Sequence, residues 1–202
     1  MSTTADGATP GKVSSWNLPN VLTALRVVAV PLFGWMLLAH PHEQDWRYWT
    51  TAVFVLAILT DFADGRIARK YNLVTNFGKL FDSMADKALT GMAFIGLSVL
   101  GELQWWVTII ILVREWGITV MRQFLLRYGY VMAANKGGKL KTVAQSLALT
   151  LYLTWLAEQP RPIAWIAWAL MAAAFVLTVV TGIDYVRQAL RVRAEARART
   201  DG

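Results

Sequence analysis

Six apolar runs, each close to the ~20 residues that cross a hydrocarbon layer, constrain this chain more than anything else in it. They fall at roughly 19–39, 47–64, 80–100, 103–126, 142–158 and 162–186. A backbone placed in lipid must satisfy its own hydrogen bonds, so runs of this length predict helices. Hydrophobic residues make up 56% of the 202 residues, above the ordinary soluble share, and the chain has no Cys. The expectation is an all-α integral membrane protein with six transmembrane helices and no disulfide or metal–thiolate chemistry.

An even number of spans puts both termini on one side, and Lys and Arg choose the side. The far-side connections around 40–47, 101–104 and 158–162 hold only Arg47 and Arg161. The near side holds Lys12, Arg66, Arg69, Lys70, Lys79, Arg122, Arg127, Lys136, Lys139, Lys141 and arginines 187, 191, 193, 197 and 199. The positive-inside rule therefore predicts cytoplasmic termini and a loop at 66–79 on the cytoplasmic side. Trp46, Trp49, Trp105, Trp106, Trp165 and Trp168 cluster beside the far-side loops, as an interfacial aromatic belt does. A net charge of +7 raises nucleic acid as a partner, but the aromatics lie opposite the basic face and no nucleic-acid motif is present. Anionic lipid is the simpler partner for the basic run from Arg187. Residues 1–15 read as a disordered cytoplasmic tail, 16–188 as one six-helix catalytic domain, and 189–202 as a basic cytoplasmic tail. No small-residue cleavage site follows the first apolar run, which argues against a secretory signal.

Chemistry concentrates in DFADGRIARKYNLVTNFGKLFDSMAD, residues 61–86. Asp61 and Asp64 are three apart and Asp82 and Asp86 four apart, spacings that put each pair on one helix face. Carboxylates at the ends of apolar segments are expensive and are functional candidates. Four of them converging need cations. Hard oxygen donors without thiols favour Mg²⁺ or Mn²⁺, one or two ions bridged between two helix ends. Between the pairs, Gly65, Ala68 and Gly78 leave room for a bulky ligand, and Arg69 offers a fork for phosphate oxygens. Carboxylates, hard cations and an arginine together suggest phosphoryl transfer.

The pattern Asp61-x2-Asp64-Gly65-x2-Ala68-Arg69-x8-Gly78-x3-Asp82-x3-Asp86 resembles the full signature of the CDP-alcohol phosphotransferases, with no departure. The resemblance implies that family's fold, with Asp61, Asp64, Asp82 and Asp86 as metal ligands in a two-metal site. It implies Asp86 as general base and Asp64, Gly65, Ala68, Arg69, Gly78 and Asp82 as the CDP-lipid site. It also favours Asn20 and Thr23, in the family-like opening PNVLTALR, as contacts to the CDP-lipid; from the residues alone, Arg26 could equally be a snorkelling side chain at the membrane surface.

The fourth span holds a second unusual pair, Arg114-Glu115. Such a pair either fixes helix packing or serves a site, with Arg114 gripping an anion near the metals. The segment AANKGGKLKT reads as a cytoplasmic loop whose Lys139 and Lys141, beside two glycines and a helix start, form a phosphate trap or a membrane anchor. NLPNVLTALR, ARKYNLVTNFGKLFDSMADK, REWGITVMRQ and GGKLKTVAQ are similar to the phosphatidylglycerophosphate synthase branch of the family. That implies CDP-diacylglycerol and sn-glycerol 3-phosphate as substrates and CMP as product. It further implies Arg114, Lys139, Lys141 and Arg187 on the acceptor phosphate, a homodimer, and a bacterial inner membrane location. Branches using inositol phosphate or phosphatidylglycerol share much of the pattern. A cation-coupled transporter would call for inverted repeats, and no internal repeat stands out. A catalytically silent lipid-binding scaffold would not need the whole signature.

Overall fold

The computed structural model describes residues 18–70, 76–127, 136–155 and 160–200. The expected N-terminal tail lies outside them. Within them the chain is six helices: α1 Leu18–Ala39, α2 Gln44–Lys70, α3 Asn76–Val99, α4 Trp105–Arg127, α5 Lys136–Leu153 and α6 Arg161–Thr200. One helix falls on each predicted span. Among the described residues, Ala164–Val192 is long and apolar enough to cross a membrane, and Ala24–Ala39 is a shorter apolar stretch.

The helix ends follow local chemistry. Pro19 and Pro162 each stand one residue inside a helix start, where the missing N–H is no loss. Before Pro41 the α conformation is disfavoured, and α1 stops at Ala39. Gly101 adopts φ 77° after α3, and the amides of Glu102 and Leu103 both return to Leu97 O, closing the helix with a left-handed cap.

Several boundaries differ from those read in the sequence. Helix α2 runs to Lys70 and α3 starts at Asn76, so most of the expected 66–79 loop is helical. Helix α5 begins at Lys136, so GGKLKT is its first turns and not a loop. Helix α6 continues to Thr200, so the basic run is an extension of the last helix.

Helices α1, α2 and α3 pack together, α5 lies along α6, and α4 packs on α3 and α6. The core runs through the bundle from Phe33, Leu37 and Phe54 to Leu89, Phe94, Ile111, Leu149 and Met171. Close approach is built from glycine. A Cβ on Gly96 would lie 2.5 Å from Leu37 Cδ2, so the Leu37 side chain of α1 packs directly onto the backbone of α3. Hydroxyls inside the helices are satisfied locally, as Thr51, Thr119, Thr150 and Thr178 each donate to the carbonyl four residues back. The outer surface is apolar. Leu25, Val28, Leu56, Leu59, Val113, Val120, Val176 and Val180 are all more than half exposed. So broad an apolar exterior exceeds what soluble monomers tolerate. Trp49, Trp105, Trp106 and Trp165 are likewise exposed, all toward the end of the bundle away from the lysines of α5.

Candidate active site

Both aspartate pairs lie inside helices, Asp61 and Asp64 near the end of α2 and Asp82 and Asp86 near the start of α3. At 1.5 Å per residue, Asp64 and Asp82 stand ~9 Å from their helix ends and Asp61 and Asp86 ~14–15 Å. The two helices are joined by five residues and touch each other, so the pairs occupy matching positions along α2 and α3. The side chains of Asn20, Thr23, Asp64, Gly65, Ala68, Arg69, Gly78 and Asp82 lie outside the described residues. No group of three metal-capable side chains comes together among the described ones. Asp61 and Asp86 are present with hard oxygen donors, and no thiol or imidazole joins them at this end. That donor chemistry fits a hard divalent cation.

Around these two carboxylates the structure gathers three cations, Arg26 of α1, Lys87 of α3 and Lys141 of α5. Arg26, in α1, is buried, and its Nη1 meets Asp61 Oδ1 at 2.8 Å. The alternative of a snorkelling Arg26 does not hold, because the guanidinium turns inward to a carboxylate rather than out to the surface. Asp86 lies within electrostatic reach of Lys87, Arg26, Lys141 and Glu115. Arg114 Nη1 donates to Glu115 Oε1 at 3.0 Å, and Lys141 Nζ donates to the same oxygen. Arg114 Nη2 donates to Thr181 Oγ1 at 2.8 Å, which ties α4 to α6. The guanidinium carbons of Arg114 and Arg122 lie 5.7 and 5.8 Å from the centre of the Tyr185 ring. The Nε atoms of both arginines are buried without a hydrogen-bond partner.

Of the expected acceptor residues, Arg114 and Lys141 are therefore brought together, with Glu115 between them. Arg187 is exposed and shares with Arg114 a groove of about 530 Å³ between α4 and α6, whose walls are Ile109, Val113, Gly182 and Val186. Lys139 is not brought to this cluster. Two residues along a helix turn ~200°, so the helical start of α5 buries Lys141 and leaves Lys139 exposed.

The glycines have a different task from the one expected of a phosphate loop. A Cβ on Gly137 would lie 2.9 Å from Thr181 Cγ2, and one on Gly182 would lie 3.0 Å from Arg114 Cγ. They let α5 and Arg114 approach α6. Arg26, Glu115, Arg122, Thr181 and Tyr185 were not singled out as site residues by sequence reasoning. The signal for Glu115 and Arg122 was available, since each is a charge in an apolar segment.

Comparison with known proteins shows the family of the chain. The family model for CDP-alcohol phosphatidyltransferase matches residues 16–180. A Mycobacterium tuberculosis protein described as a probable phosphatidylglycerophosphate synthase is 46% identical over 186 residues, covering 92% of this chain and 87% of the relative. A Bacillus subtilis CDP-diacylglycerol–glycerol-3-phosphate 3-phosphatidyltransferase is 37% identical over 185 residues, covering 84% of this chain and 93% of the relative. A crystal structure of Mycobacterium tuberculosis phosphatidylinositol phosphate synthase with manganese and citrate shares the fold at TM-score 0.55. It is 20% identical and covers 83% of this chain and 81% of the other. With the signature aspartates on α2 and α3 and the family match running from α1 to the middle of α6, the chain belongs to the CDP-alcohol phosphatidyltransferase family.

Proposed function

We propose that this chain is a membrane phosphatidyltransferase that passes the phosphatidyl group of CDP-diacylglycerol to sn-glycerol 3-phosphate, giving phosphatidylglycerophosphate and CMP. The observation that carries the reading is the extended identity, 37–46% over most of both chains, to relatives named for that reaction. The site supports it physically, because Lys141 lies within electrostatic reach of Asp86 and shares Glu115 with Arg114. Two cations beside a candidate base suit an acceptor that carries a phosphate as well as a hydroxyl.

In this reading Asp61, Asp64, Asp82 and Asp86 hold Mg²⁺ or Mn²⁺, in a two-metal site. The bound cations supply charge for the diphosphate oxygens and for the departing CMP. Gly65, Ala68, Arg69 and Gly78, with Asn20 and Thr23, seat the CDP-lipid. Asp86 takes the proton from the acceptor hydroxyl, whose oxygen attacks the phosphatidyl phosphorus. As that P–O bond forms, the bond to the CMP phosphate breaks and CMP leaves. Arg114 and Lys141 hold the acceptor phosphate, with Arg187 at the mouth of the groove. The apolar groove between α4 and α6 offers lipid tails a sideways path.

The same reading places all six helices across a bacterial inner membrane, termini and site on the cytoplasmic side. The apolar exterior and the one-sided lysines and arginines support this. A homodimer belongs to the reading on the family resemblance alone.

Purified protein given CDP-diacylglycerol and glycerol 3-phosphate should release CMP, and chelator should abolish the release. Faster turnover with inositol phosphate at equal concentration would overturn the acceptor and leave the phosphotransferase. Orientation is read by single cysteines in this Cys-free chain. A cysteine at 43 should label in intact cells and one at 72 only after permeabilisation; the reverse pattern defeats the topology.

A further inference from the structure

One charged group at the site has no part in the proposed chemistry. Glu115 neighbours Arg114 in sequence, and its side chain is 19% exposed. A single carboxylate oxygen, Oε1, takes hydrogen bonds from Arg114 Nη1 on α4 and from Lys141 Nζ on α5. The two cations are 12% and 4% exposed. Two buried cations side by side repel unless an anion lies between them. Glu115 is that anion, and it makes the contacts that a bound phosphate would make.

The arrangement is tied down on one side and open on the other. Arg114 Nη2 is committed to Thr181 Oγ1, while its buried Nε has no hydrogen-bond partner. Lys141 is an ammonium, whose three donors rotate freely onto a new oxygen. A phosphate arriving here meets donors already gathered, and it also meets a carboxylate of its own sign.

We propose that Glu115 is the resident anion of the acceptor pocket. It occupies Arg114 and Lys141 before the acceptor arrives, then shares or surrenders them to the acceptor's phosphate. The proposal rests on reading Arg114 and Lys141 as acceptor contacts. Its consequence is a pocket kept assembled at low affinity for bare anions. Inorganic phosphate has only the charge contacts with which to compete against Glu115, whereas an alcohol phosphate adds contacts from the rest of its body. Glu115 is thus a positioning and specificity residue that itself takes no proton and touches no reacting bond.

Glu115→Gln separates this role from a purely structural one, because the two move phosphate affinity in opposite directions. The full chain in lipid nanodiscs is titrated with inorganic phosphate by calorimetry, and the inhibition constant of phosphate is measured against glycerol 3-phosphate. Loss of the competing charge should tighten phosphate about tenfold, the scale of one charge-assisted hydrogen bond. Glu115→Asp keeps the charge but retracts it by one methylene, and should tighten phosphate less. Unchanged or weaker phosphate binding by a folded Glu115→Gln protein overturns the proposal. So does failure of both variants to fold, which would make Glu115 a fold-locking residue. If the wild-type protein releases no CMP with glycerol 3-phosphate while Glu115→Gln still tightens phosphate, the acceptor reading falls and the resident anion stands.

Discussion

The two ends of the bundle each bury an arginine, and they use it in opposite ways. At the far end Arg47 is fully buried, donates from Nη2 to Glu102 and to Tyr152 O, and lies 5.8 Å from the Trp155 ring. Its carboxylate partner is only 8% exposed. At the near end, the carboxylates that meet Arg26 and Arg114 are 38% and 19% exposed. Buried guanidinium nitrogens without hydrogen-bond partners occur at both ends, on Arg47 and on Arg114, so they do not by themselves mark a site. Access to the carboxylate does. A sealed pair holds helices together, while an open carboxylate serving two cations can exchange partners.

That contrast is broken most directly at Arg47. Arg47→Ala removes the guanidinium that Glu102 and Tyr152 O share, and breaking a buried ion pair costs about 3–5 kcal/mol. Thermal unfolding in detergent should register the loss, with the Michaelis constants of the remaining folded protein near normal. A stable Arg47→Ala protein would show that the far-end pair is not a lock.

At the near end the order reverses. Asp61→Asn and Asp86→Asn should each slow CMP release by at least ~10²-fold, the scale of a lost base or charge stabiliser. Turnover within a few-fold of wild type would remove either aspartate from the proposed chemistry.

The smallest effects sharpen the site within its own end. Arg114→Ala and Lys141→Ala should raise the Michaelis constant for glycerol 3-phosphate by roughly ten- to a hundredfold, as expected for a charge-assisted contact to phosphate. Lys139→Ala, on the exposed side of the same helix, should change it by less than about threefold, in line with ordinary surface substitutions. Equal effects at 139 and 141 would mean that the two lysines act from a common face.

These contrasts also mark what could be read in the chain beforehand. Helix number and order were legible, because six apolar runs of about 20 residues each fall on one of the six helices. The aspartates stand out in the sequence because carboxylates beside apolar runs are rare and their spacing repeats a helix face, and both pairs do fall inside helices α2 and α3. Helix ends were harder. The segment Lys136–Thr142 reads as a loop because paired glycines weaken helix propensity, yet Gly137 is needed where α5 meets Thr181. Lys139 was grouped with Lys141 for the same reason, since a loop lets both reach one ligand and a helix does not. Arg26 could not be paired from sequence, because its partner Asp61 is 35 residues away on another helix.

Helix α6 is a single rod of 40 residues, ~60 Å long and about twice the thickness of a hydrocarbon layer. Thr181, which steadies Arg114, sits midway along it, and the basic run occupies its last third. The rod works as a depth gauge. However deep the lipid headgroups let its arginines settle, the height of Arg114 above or below the surface is set by the same fixed length of helix.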